Sequence, residues 1–136
     1  MKRRQALAVL MSGLAVAAGV RAQGYPSKPI RVIVGYTAGG AVDIVARAVS
    51  QQLQTSLGQP VIVENRPGAG TNIALRALID SPADGYTLML TANAIAANMS
   101  LYQPPPYDLA RDITPISLVG RVPVVLAVNA QSEYKT

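Results

Sequence analysis

The strongest constraint on the fold is a run of β-branched residues at positions 30–34, Ile-Arg-Val-Ile-Val, followed by the Gly-rich stretch GYTAGG. A nearly continuous apolar run is expected of a strand buried on both faces, as in a parallel sheet. Val42, Val45, Ala46, Val49 and Leu53 then recur at helical spacing, with Arg47, Gln51 and Gln54 on other faces. Gly58 stops this helix and Pro60 lies just beyond it. The same order then repeats. VIVE (61–64) reads as a second strand, NRPGAG as a loop, residues 71–80 as a largely buried helix, SPADGY as a turn, and YTLMLT (86–91) as a third strand. The pattern βαβαβ implies an α/β fold with a parallel sheet covered by helices.

Beyond residue 91 the pattern is less regular. ANAIAANMSLY reads as a short helix, and QPPPYD as a rigid non-helical segment, because consecutive prolines fix φ and remove donors. ITPISLVG and VPVVLAV read as two further strands, which would make five. The last of them is a bare apolar edge strand followed only by NAQSEYKT. Complete proteins usually cover or blunt such an edge, so further chain is expected after it.

The first residues have to be set aside before charge is used. Lys2, Arg3 and Arg4 precede an apolar stretch over positions 6–20, and Val20-Arg21-Ala22 ends it with a small residue. This is the pattern of a secretory signal peptide spanning residues 1–22, with a weak twin-arginine hint in Arg3-Arg4, so export by the Sec or the Tat route to the periplasm is expected. The full chain carries +5, but Lys2, Arg3, Arg4 and Arg21 leave with the leader, and eight basic residues then face seven acidic ones. The basic balance therefore belongs to the leader and gives no support for nucleic-acid binding. The chain has no Cys and no His, which excludes disulfides, Cys/His zinc sites, Ser-His-Asp triads and Cys-His nucleophiles. Residues 23–136 form one expected domain, long enough to be held by its core alone.

In an open parallel sheet, ligands sit beyond the carboxyl ends of the strands. Three loops leave those ends, at residues 36–41, 65–70 and 92–93. Two are Gly-rich and open helices, where free backbone N–H groups and the helix dipole favour an anion. Gly35 and Gly40 have the spacing of a phosphate loop, but Ala41 and Val42 stand where Lys and Ser/Thr should follow. A carboxylate needs less than a triphosphate, and a few N–H bonds would orient it. The candidate ligand-binding residues are Tyr36, Thr37, Ala38, Gly39, Gly40 and Asp43 from the first loop and helix start, Ala69, Gly70, Thr71 and Asn72 from the second, and Thr91, Ala92 and Asn93 from the third. Asp43 suits the dipole of its helix and could accept from a hydroxyl or ammonium on the ligand. Plainer readings stand beside these. Gly39-Gly40 also fits a simple tight turn, Asn72 a helix-start hydrogen bond, Arg66 a surface contact, Asp84-Gly85 a turn, and Asp108 and Asp112 capping or solvation. A dinucleotide loop at GAGTNIA fails, because Ile73 stands at the third small position.

YPSKPIRVIVGYTAGGAVDIVAR, LGQPVIVENRPGAG, DGYTLML and YDLARDITPISLV, taken in order, resemble the N-terminal part of the substrate-binding proteins of tripartite tricarboxylate transporters, the Bug receptors. The resemblance runs through essentially all of residues 25–129, and ENRPGAG followed by DGYTL is its most specific part. It implies one parallel-sheet lobe of a type II periplasmic-binding-protein-like fold, monomeric, without catalysis or cofactor. It also implies a small carboxylate ligand: a di- or tricarboxylate, an acidic amino acid or an aromatic acid. In the family the loops matching 36–41 and 68–72 hold the ligand carboxylate through backbone groups and ordered waters, and membrane subunits of the transporter are the partners. Two departures stand out. Thr71 replaces a Gly that the family usually carries after GAG, and family members are more than twice as long, so the second lobe is absent from this chain. A truncated, non-functional remnant of such a receptor is the alternative expectation. A nucleotide-dependent α/β enzyme is a weaker one, because the loop Lys, His and acidic metal ligands are missing.

Overall fold

The computed structural model describes residues 24–123, 125 and 127–133, so the expected leader at residues 1–22 lies outside the described residues. Three strands form one parallel sheet in the order β2-β1-β3. β1 is Ile30–Val34, β2 is Val61–Asn65 and β3 is Thr87–Leu90. β1 lies in the centre, and its register sets Val34 beside both Asn65 and Leu90. All three carboxyl ends therefore meet on one rim, as the βαβαβ pattern requires.

The run of β-branched residues is explained by cover on both faces. Ile30 and Val32 pack with Val61 and with Leu53 and Leu57 of α1 (Ala41–Leu57). Side chains alternate along a strand, so Ile33, fully buried, lies on the other face. Gly35 continues that face and meets Thr71 and Ala74 at the start of α2 (Asn72–Ile79). Leu75 of α2 is likewise fully buried.

α1 starts after Gly40 and ends at Gly58, whose φ of 67° lets its N–H bond back to Gln54. Its buried face is Asp43, Ala46 and Ser50, whereas Val45, expected on the apolar face, is exposed. These three are spaced three and four apart and define the buried stripe, and Val45 lies about 100° round the helix from Ala46. α2 is preceded by a 3-10 turn at Ala69–Thr71, so the helix expected from residue 71 begins one residue later. α3 (Ala94–Leu101) is the short helix expected there. α4 (Leu109–Asp112) is capped by Asp108, whose carboxylate accepts from the Ala110 N–H, and Asp112 accepts from the Asp108 N–H. These two acids are caps, as the plainer reading held.

The expectation of five strands is corrected to three. Residues 113–123 and the described residues of 124–129 carry no strand. Ile116, Leu118, Val122 and Val125 are exposed, with Val125 at 82%. Apolar, β-branched sequence makes a strand only when it finds a hydrogen-bonded neighbour. Here residues 113–117 pass beside β3 without pairing. A hollow of about 630 Å³ lies along the way, lined by Leu75, Leu88, Leu90, Ile95 and Ile113, and Pro115 offers no donor.

Candidate functional site

The rim is built from three helix starts. Gly40 precedes α1, Thr71 precedes α2 and Asn93 precedes α3, and none of the three has a side-chain cap. Away from the rim, α4 does have one. The first N–H groups of a helix lack intrahelical partners, so an uncapped start leaves them available to an acceptor, although at α2 the preceding 3-10 turn already takes the Asn72 N–H to the Ala69 carbonyl.

The first loop is held from beneath. Asp43 is 2% exposed. Its Oδ2 accepts from the Gly39 N–H at 2.8 Å and from Arg47 Nε at 2.9 Å, and its Oδ1 accepts from Asn65 Nδ2 at 2.8 Å. Asn65 Nδ2 also donates to the Tyr36 carbonyl at 3.1 Å, and Arg47 Nη2 donates to Asn65 Oδ1 at 3.0 Å. The N–H groups of Thr37 and Ala38 have no partner among the described residues. Thr37, Ala38 and Gly39 are exposed.

The second loop is shaped by three successive left-handed residues, Ala69 (φ 46°), Gly70 (φ 60°) and Thr71 (φ 77°). For Ala69 and Thr71 this conformation costs about 1–3 kcal/mol each, and such strain is concentrated at functional sites. Thr71 stands where the family resemblance leads one to expect glycine, which would adopt this φ freely. The Thr71 side chain is 3% exposed, and its Oγ1 has no partner. It fills the space above Gly35 so closely that a Cβ on Gly35 would lie 2.8 Å from Thr71 Cβ. The first two loops are therefore in contact at their roots.

Asn98 anchors the second loop, donating to the Gly70 carbonyl and to Asn72 Oδ1, both at 2.7 Å. The Tyr107 hydroxyl donates toward Asn72 Oδ1 at 3.2 Å and the Ile95 carbonyl at 2.9 Å. Burial pushes the Tyr107 pKa up, so it remains a donor. Asn72 thus uses its amide oxygen inside the protein rather than capping its helix. In the third loop, Thr91 Oγ1 makes only a long 3.5 Å contact to the Ala92 carbonyl, and the Asn93 carbonyl starts α3 by accepting from Ala96 and Ala97. Arg66 is paired with Glu64 at 2.7 Å, the surface contact favoured for it. Among the described residues, no group of three or more acidic, His or Cys side chains could hold a metal ion.

Sequence reasoning placed the rim loops but missed their supports: Arg47, Asn65, Asn98 and Tyr107. Of these, only the Asp43–Arg47 spacing of four along a helix carried a signal.

The bonds from Arg47, Gly39 and Asn65 hold the Asp43 carboxyl well below the usual carboxylate range. A lowered folded-state pKa contributes stability that is fully present above the unfolded value, about 3.9 for Asp, and is lost as pH falls toward the folded value. Asp84 and Asp112 are shifted the same way and act in the same window. The melting temperature should therefore fall steeply below about pH 4. In Asp43→Asn the neutral-pH melting temperature should be lower and the acid limb shallower. Parallel acid limbs in the two proteins would contradict this role for the carboxylate.

Comparison with known proteins gives the rim its context. The family model described as Tripartite tricarboxylate transporter family receptor matches residues 45–136. The chain is 43% identical over 125 residues to Protein BugT of Bordetella pertussis, covering 90% of this chain and 38% of that protein. It is 42% identical over 127 residues to a UPF0065 protein of Bordetella bronchiseptica, covering 93% of this chain and 38% of the relative. Among solved structures it resembles one described as a periplasmic transporter, at 45% identity and TM-score 0.59, over 62% of this chain and 29% of that one. It resembles the periplasmic binding protein BugD at 36% identity and TM-score 0.59, over 62% and 28% of the two chains. An R. palustris protein solved with adipate matches at 34% identity and TM-score 0.60, over 64% and 29%. The chain thus spans 38% of the length of these two curated relatives. Proteins of this kind are solute-binding receptors, not enzymes. With well over half its length matched by the family model, and its parallel-sheet lobe shared with periplasmic binding proteins, the chain belongs to the tripartite tricarboxylate transporter receptor family.

Proposed function

We propose that this chain is the N-terminal lobe of a periplasmic receptor that captures a small carboxylate, with a dicarboxylate the first choice, for delivery to the membrane subunits of a tripartite transporter. Residues 1–22 would direct its export. The observation that carries this reading is the set of three uncapped helix starts on one rim, two of them on loops locked together through Gly35 and Thr71. Such a rim offers N–H groups and positive dipole ends but no lysine, and therefore suits one or two carboxylates better than a polyphosphate.

Backbone contacts come from residues 36–40 and 69–72 in this reading, with Thr91, Ala92 and Asn93 as the third wall. The solved relative that holds adipate supports a dicarboxylate. A thermal-shift panel of adipate, citrate, glutamate, benzoate and Mg-nucleotide tests the proposal. Stabilisation by carboxylates, with adipate first, is expected. Stabilisation by Mg-nucleotide alone would overturn it in favour of an enzyme, and the absence of any cooperative melt would favour the remnant.

A further inference from the structure

Three side chains beneath the first loop close a ring. Asp43 bonds Arg47 at 2.9 Å, Arg47 bonds Asn65 at 3.0 Å, and Asn65 bonds Asp43 at 2.8 Å. From this ring two further bonds reach the loop backbone at both ends, Asn65 to the Tyr36 carbonyl and Asp43 to the Gly39 N–H. Both carboxylate oxygens of the buried Asp43 are engaged. A buried carboxylate is tolerated only when satisfied in this way. Between the two gripped ends stand Thr37 and Ala38, whose N–H groups have no partner among the described residues.

We propose that Asp43, Arg47 and Asn65 form a positioning clasp that holds the Thr37 and Ala38 N–H groups in place for the ligand, without Asp43 touching the ligand itself. The proposal thus gives Asp43 a supporting role in place of the ligand contact expected from the sequence. Asp43 is 2% exposed, and both of its carboxylate oxygens accept hydrogen bonds from within the protein. The proposal rests on the carboxylate reading for its purpose, but its geometry can be tested separately. Preorganised donors bind better because no ordering cost remains to be met on binding.

The experiment compares the whole wild-type chain with Asp43→Asn and Arg47→Gln by amide hydrogen exchange and by adipate titration, both read by NMR. Asp43→Asn keeps the shape but sets an NH₂ against a donor in either amide orientation, against two at the Oδ2 position or one at the Oδ1 position. Arg47→Gln removes one side of the ring at a half-exposed position, so it provides a well-folded second variant. Both should melt cooperatively. Exchange at the Gly39 amide should rise about tenfold or more in Asp43→Asn and less in Arg47→Gln, as expected when a local opening becomes easier. The adipate dissociation constant should rise several-fold, while shifts at Ile73, at the start of α2, persist. Unchanged Gly39 exchange in both folded variants would overturn the clasp. Loss of adipate binding with an unchanged loop would overturn it too, because that is the behaviour of a direct contact. If wild-type amides ignore adipate and every carboxylate of the panel, the carboxylate reading fails, while faster Gly39 exchange in the variants would still uphold the clasp.

Discussion

Replacing Gly35 by alanine is expected to destabilise the chain by about 1–3 kcal/mol, the usual cost of forcing a methyl group into a packed site. The new Cβ would lie 2.8 Å from Thr71 Cβ, 3.0 Å from Thr71 Cγ2 and 3.1 Å from Ala74 Cβ. None of these is the far end of a flexible side chain, so backbone must move. The root of the first loop would be pushed from the start of α2, and ligand affinity should fall together with stability. Thr71→Gly removes two of the three clashing atoms and places glycine at a φ of 77°, where it is unstrained. In that background Gly35→Ala should cost clearly less, with a coupling of about 0.5–3 kcal/mol in the double-mutant cycle. Urea denaturation of the four proteins measures it. Additive effects would mean that the two loops do not meet as described.

The second large effect belongs to Ile33→Ala. Ile33 has 0% exposure, lies in the central strand and faces the α2 side of the sheet. Truncation to alanine in such a site costs about 2–5 kcal/mol through lost transfer energy and the cavity left behind. Set against a total of about 5–15 kcal/mol for a typical domain, this is a large share. A domain of about this size loses roughly 4–8 °C of melting temperature per kcal/mol. Ile62→Ala on the edge strand β2 is the control. Ile62 is 53% exposed, and its truncation should stay within about 0.5 kcal/mol. Equal losses at the two positions would contradict the placement of β1 between two covered faces.

How far the sequence revealed this follows from which forces are local. β1, the Gly-rich turn, the Gly58 stop of α1 and the α4 caps depend on short-range pattern, and they stand where the pattern put them. The parallel sheet follows from the same alternation, because helical crossovers leave few other topologies. That the described residues of 113–129 form no strand was not legible. Apolar alternation in residues 113–128 shows that a segment could pair, but pairing depends on a neighbour that local sequence does not specify.

The clasp was only half legible. Asp43 and Arg47 are four apart on one helix, which forecasts their ion pair. Asn65 joins them only because the β1–β2 register sets Val34 beside Asn65, so the end of β2 arrives beneath the loop that follows β1. Asn98 and Tyr107 reach the second loop across 28 and 35 residues in the same way. Thr71 is the instructive case. Its departure from the expected glycine was visible in the sequence, but its role as the surface that touches Gly35 was not.

The central claim is that backbone N–H groups on the rim receive a carboxylate, and an amide NMR titration of the whole chain with adipate tests it most directly. The account predicts saturable shifts at Thr37, Ala38 and Ile73, with the amides of the exposed face of α1 unmoved. A well-dispersed spectrum in which those rim amides stay silent to adipate, citrate, glutamate and benzoate at millimolar concentration would contradict it.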